Sequence, residues 1–217
     1  LMFVDEPARG SQDHLKDSLE RGTVFGLLKN GAFWSCTLGM AMMTFALGGM
    51  QVWMPTFLAR VRNVPLDKAN FIFGAMTLAA GFLATFIGGW LGDYLLRYTK
   101  GAYYLVSGIG MTIGVPAIYL AVTYTGTLMY PAIFVAEFFV LLNTAPLNAA
   151  LVNSVSARIR ATAVAANIFV IHILGDAISP TLMGYISDKT NLRTAFLAVT
   201  VAVAISAVVL FLGIRVA

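Results

Sequence analysis

The sequence predicts an all-α, polytopic membrane protein of six transmembrane helices, and three observations predict it. Of its 217 residues 59% are hydrophobic and only 11% charged, against about 25% charge in an ordinary soluble domain. Mean hydropathy is +0.83. The charges fall mostly in short intervals between long uncharged stretches, and about 20 apolar residues at 1.5 Å each suffice for a helix to cross the hydrocarbon. Disorder is excluded by the same composition. A disulfide framework is excluded by the single cysteine, Cys36, which lies in an apolar run. Barrel strands would alternate apolar and polar residues over about 10 positions, and these runs do not.

The elements follow in order. Residues 32–59 and 69–92 carry no charge, and each makes one crossing. The apolar stretch 101–136 is too long for one, and Tyr124-Thr125-Gly126-Thr127 reads as a turn within it. A third helix therefore ends near Tyr124, and a fourth runs from about Leu128 to Val155 with Glu137 inside. The fifth spans about 161–187 and contains His172 and Asp176; the sixth, 194–214, is uncharged. Tyr and Trp near the predicted boundaries, among them Trp34, Trp53, Trp90 and Tyr185, form an interfacial belt. Gly110 and Gly114 give a close-packing spacing in the third helix.

Arg9, Lys16, Arg21, Lys29, Arg97, Lys100, Arg158, Arg160 and Arg215 fall on one side, and Arg60, Arg62, Lys68, Lys189 and Arg193 on the other. The richer side is expected to face the cytoplasm. The net charge of +4 does not point to nucleic acid, because no basic run is interleaved with aromatics. Residues 1–30 are expected to form a polar cytoplasmic linker between halves, with room for a short interfacial helix and no signal-peptide pattern. Residues 31–217 form the bundle. A chain that starts at the end of an apolar run and continues into such a linker reads as the second half of a longer protein.

Neither enzyme nor cofactor chemistry is expected. Only His14 and His172 exist, and no nucleophile elbow, zinc helix or phosphate loop is present. The candidate chemistry is acid and amide groups at membrane depth. Glu137 lies about ten residues into its helix, hence roughly 15 Å deep. An ionised group there costs at least about 2.5 to 3.5 kcal/mol, so Glu137 is a candidate proton carrier, or else a glutamate that ties helices together. Glu137, Leu141, Thr144 and Asn148 recur at helical spacing with Asn143 at their margin. Such a stripe lines a cavity or joins helices, and Pro146, which frees backbone carbonyls, favours the cavity. His172, Asp176 and Ser179 share a face of the fifth helix. That pair either shuttles a proton near neutral pH or braces a bent helix end beside Gly175 and Pro180. Asn167 lies off that face and serves the cavity or a neighbouring helix.

After the second helix, Gly89-x-Leu91-Gly92-Asp93-x-x-x-Arg97 resembles the signature between the second and third helices of each six-helix half in the major facilitator superfamily. Tyr94 replaces a usual basic residue and Leu96 a usual glycine. Alone, the segment is also readable as a charged turn holding topology. A longer series resembles the spinster family of that superfamily: Ala136-Glu137-Phe138-Phe139, Asn143, Arg160-Ala161-Thr162-Ala163-Val164-Ala165, His172 through Pro180, and Gly184-Tyr185-Ile186-Ser187-Asp188. The resemblance implies the C-terminal six-helix half of a proton-coupled transporter that moves a lysolipid or other amphipathic solute by alternating access. It also implies a partner N-terminal half, a bilayer and a multi-pass location, with a bacterial inner membrane expected. Glu137, Asn143, Thr144, Asn148, Asn167, His172 and Asp176 would line the substrate and proton cavity. Gly89, Asp93, Arg97, Arg158 and Arg160 would form a cytoplasmic gate. The alternatives are a drug or small-solute exporter of the same superfamily and a non-transporting scaffold or receptor bundle. The discriminating feature is whether Glu137 borders a cavity or is sealed between helices.

Overall fold

The computed structural model describes residues 24–216. The greater part of the expected linker, residues 1–23, lies outside them. What remains of it forms a short helix, α1 (Val24–Leu28), with Leu27 buried and Phe25 and Leu28 exposed.

Six spans follow among the described residues. Helix α2 (Gly31–Arg62) begins at Asn30, whose Oδ1 accepts the Phe33 amide at 3.0 Å while its Nδ2 donates to the Ser154 carbonyl at 2.8 Å. One side chain thus caps a helix and ties it to the distant end of the fourth span. The helix stops at Asn63, which adopts the left-handed conformation (φ 56°) that asparagine tolerates. Next come α3 (Leu66–Leu95) and α4 (Ala102–Thr123). Arg62 donates to the carbonyls of Val122 and Tyr124 at 3.0 and 2.7 Å, satisfying acceptors that the end of α4 leaves open.

The fourth and fifth spans are each broken, where the sequence predicts single helices. The fourth divides into α5 (Met129–Leu141) and α6 (Thr144–Asn153) across Leu142 and Asn143. Pro146 sits in the first turn of α6, where its missing N–H costs least, so the proline marks a helix start. The fifth opens with a 3-10 turn (Ala157–Ile159) and continues as α7 (Arg160–Ile171). It then passes through a π turn (His172–Asp176) to α8 (Ser179–Lys189). Gly175 leaves helical geometry there, with φ −99° and ψ −106°. The sixth span is α9 (Leu192–Gly213), capped by Asn191, which accepts the Thr194 amide at 2.9 Å.

Helix α2 packs along α9, α4 lies between α9 and α5, α3 rests on α5, and the fifth span leans on α2. Small residues set the approach: Gly39 meets Leu210, Gly49 meets Met183, and Ser206 donates to the Gly39 carbonyl at 2.9 Å. Gly110 and Gly114 face Phe139, Val140 and Leu142, so their spacing does mark close packing. Near the far end Phe57 and Phe196 meet edge to face at 5.3 Å. The spans differ sharply in cover. Within their apolar stretches 67% of α2 is buried, but only 22% of α3 and 22% of the fifth span. Those two present broad apolar faces, Phe71, Leu78, Phe82 and Phe86 on α3 and Ile168, Phe169 and Ile173 on the fifth span.

Candidate functional site

Glu137 is fully buried, and neither carboxylate oxygen has a hydrogen-bond partner. Because α5 starts at Met129, the residue sits about 12 Å from that end of the span, somewhat shallower than the sequence suggests. The neighbouring polar group is the Thr77 hydroxyl of α3, itself without a bond in good geometry. Thr77 is absent from the sequence reading: a lone threonine in an apolar run carries no penalty that would mark it. A carboxyl left unpartnered at this depth is the most costly polar group in the bundle.

The other amide groups are distributed differently from the expected stripe. Asn143 is buried with its side-chain oxygen and nitrogen both unpartnered, while Thr144 is half-buried with its hydroxyl likewise unpartnered. Asn148 is exposed and donates to the Thr144 carbonyl at 2.7 Å. The break at Leu142 and Asn143 interrupts the helix between Glu137 and the Thr144–Asn148 segment. Asn167 is buried on α7 with its Nδ2 3.8 Å from the Met40 sulfur. The seven expected cavity residues therefore differ in burial within this bundle. Glu137, Asn143 and Asn167 are sealed among helices, whereas Asn148, His172 and Asp176 face outward.

His172 and Asp176 do meet as their spacing implies. His172 Nδ1 lies 2.9 Å from both Asp176 oxygens, with side chains 57% and 40% exposed. The π turn beneath them is held from α2. The Thr44 hydroxyl lies 2.9 Å from the Ala41 carbonyl and 2.8 Å from the Ile171 carbonyl, its one proton shared between them, and Gly175 leaves room for that hydroxyl. The bond to Ile171 joins α2 to the fifth span at the π turn, so Thr44 acts as a clasp between spans. Thr44→Val should cost about 0.5 to 1.5 kcal/mol by removing that bond between spans. A detergent melting curve indistinguishable from wild type would remove the clasp.

At the basic end, Gly88 through Leu95 are helical, not loop, so Asp93 lies in the last turn of α3. It accepts the Tyr103 hydroxyl at 2.8 Å, while Arg97 stacks over Tyr94 at 5.7 Å. Asp93 thus has a partner within this bundle, one that lies beyond the motif and that spacing alone does not reveal. Arg158 is exposed in the 3-10 turn, and Arg160 Nε donates to the Val152 carbonyl at 3.2 Å. Gly89 faces Ala145 of α6.

Comparison with known proteins decides the family. The model of the Major Facilitator Superfamily matches residues 1–175. The chain belongs to that superfamily. Among Major Facilitator members it is 32% identical over 209 residues to Protein spinster homolog 3 of Danio rerio, covering 88% of this chain and 42% of that protein. It is 34% identical over 208 residues to the Sphingosine-1-phosphate transporter SPNS2 of Xenopus tropicalis, covering 89% and 40%. The chain thus spans about two fifths of the curated relatives it matches. In structure it resembles a bacterial homolog of the human lysosomal transporter spinster, inward-facing and unoccupied, with TM-score 0.76 at 23% identity over 98% of this chain and 55% of the other. The E. coli fucose:proton symporter FucP superposes with TM-score 0.66 at 19% identity, over 99% and 50%. The Major Facilitator fold is therefore present as six membrane-spanning helices, one half of the architecture seen in those neighbours.

Proposed function

We propose that this six-helix bundle is the C-terminal half of a proton-linked, spinster-like transporter of a lysolipid or related amphipathic solute. It works by alternating access against a second six-helix half in a multi-pass membrane location such as a bacterial inner membrane. The observation that carries the proposal is Glu137, a membrane-depth acid with both oxygens unpartnered beside a broken helix. A proton or a chain of water relieves such a group, and a carrier needs a site whose occupancy changes as the bundle rocks. The apolar faces of α3 and the fifth span suit docking of the second half. The similarity to a sphingosine-1-phosphate transporter supports an amphipathic solute.

The sealing of Glu137 favours a second arrangement of roles, in which Glu137 is structural and the exposed His172–Asp176 pair exchanges the proton. One experiment separates them. In liposomes holding the full-length protein, lysolipid flux is measured across a series of pH gradients for wild type, Glu137→Gln and His172→Gln. With Glu137 as carrier, Glu137→Gln loses the gradient dependence, a fall of at least about tenfold at the steepest gradient, and His172→Gln keeps it. The reverse pattern transfers the role to the pair. Gradient-dependent flux unchanged in both variants overturns proton coupling through either.

Gly89, Asp93, Arg97, Arg158 and Arg160 are proposed as gate contacts on the cytoplasmic side. Freed of its Tyr103 bond, Asp93 could reach across to the second half when that side closes. Asp93→Asn should shift the inward to outward balance by several-fold. Equal labelling of cysteine probes on both sides in variant and wild type would count against the gate.

A further inference from the structure

The basic end of the bundle holds a feature that the transport reading does not use. A cavity of about 820 Å³ opens there between α1, the starts of α2 and α4 and the end of α6. Lys29 stands just ahead of the α2 cap and Lys100 two residues ahead of α4, and both line it. Among the described residues neither makes an ion pair and no acid lines the cavity. Asp93 touches it only through Tyr103, whose hydroxyl it accepts. Asn153 adds a further polar wall, and Phe25, Leu96 and Val216 make an apolar rim. Phe25 is 82% exposed.

The chemistry of the occupant follows from this mixture. Two ammonium groups with no carboxylate facing them among the described residues attract an anion, and a phosphate offers oxygens to both. The apolar rim would stay wet around a free anion, whereas the acyl chains of a lipid would cover it. A choline headgroup would set like charges together. The volume lies within the range of about 300 to 1,000 Å³ in which small-molecule sites fall. Positive pockets on the basic side of membrane proteins hold anionic headgroups by the same balance of forces. We propose that this cavity binds the headgroup of an anionic phospholipid drawn from the leaflet on the basic side, independently of Glu137 and of the solute carried.

The test uses the full-length protein in detergent with equal additions of phosphatidylglycerol and phosphatidylcholine, read by native mass spectrometry. Wild type should retain phosphatidylglycerol in preference. Lys29→Gln and Lys100→Gln should each lower that retention about fivefold, and together about 25-fold. Lys29→Arg with Lys100→Arg should restore it, which separates a lost charge from a lost fold. Arg193→Gln, a charge removed at the opposite end, should change nothing. Equal retention of the two lipids overturns the proposal, as does a double glutamine variant that binds like wild type. Displacement of phosphatidylglycerol by an equal concentration of inorganic phosphate would make the site one for a free anion and overturn the lipid assignment.

Discussion

Gly88→Ala is expected to destabilise the protein by about 3 kcal/mol or more, at or beyond the upper end of the usual cost of overpacking. A Cβ at Gly88 would lie 3.0 Å from the Leu142 carbonyl carbon and closer still to its oxygen. The obstacle is backbone, so no rotamer change relieves it. The reason lies four residues on: Pro146 has no N–H to give that carbonyl, and the oxygen rests against the only residue type that presents nothing but hydrogen. Gly74, on the same helix, has open space around its Cβ position, so Gly74→Ala serves as the control and should be neutral or slightly stabilising. Melting curves of the full-length protein in detergent decide it. A Gly88→Ala midpoint within a degree of wild type would remove the argument for this contact.

Glu137→Met is expected to do the opposite to stability, raising it by about 1 to 3 kcal/mol, because methionine fills similar volume with no polar oxygen to strand. Glu137→Gln should gain little, since an amide is left as unpartnered as the acid. The comparison matters because a group kept at a cost to the fold is one whose chemistry is in use. A methionine variant that melts at or below the wild-type temperature would mean that the carboxyl finds partners in the membrane, and the tie between helices would become its role.

The spans were legible because the bilayer imposes a length and an apolar composition that few other environments demand. Glu137 was legible for the same reason, as a charge inside an uncharged run. The breaks were not. Pro146 in the first turn of a new helix and a proline in the middle of a bent one look alike along the chain, and the polar spacing drawn from Glu137 to Asn148 crosses a helix break that only the fold contains. His172 and Asp176 met as expected because four residues within one turn are a local matter, and the π turn left that spacing usable. Their clasp, Thr44, lies 127 positions before Ile171 and carries no local mark. Asp93 likewise drew attention through its motif, while Tyr103 stood outside it as an apparent belt residue.

The contact of Gly88 with Leu142 also bears on how the second and fourth spans move. It fastens α3 to α5 near one end of a helix that continues about 33 Å to Leu66, with Ala69, Phe73, Ala80 and Ala84 buried along its inner face and a broad outer face left bare. Were that side-chain packing to loosen, such a rod would swing about the backbone contact rather than slide. A swing of about 10° would carry the Leu66 end by about 6 Å and Thr77, halfway along, by about 3 Å, roughly the width of one water molecule. The hinge and the lever that could wet Glu137 would then be the same helix, with the fulcrum set by a residue that has no side chain.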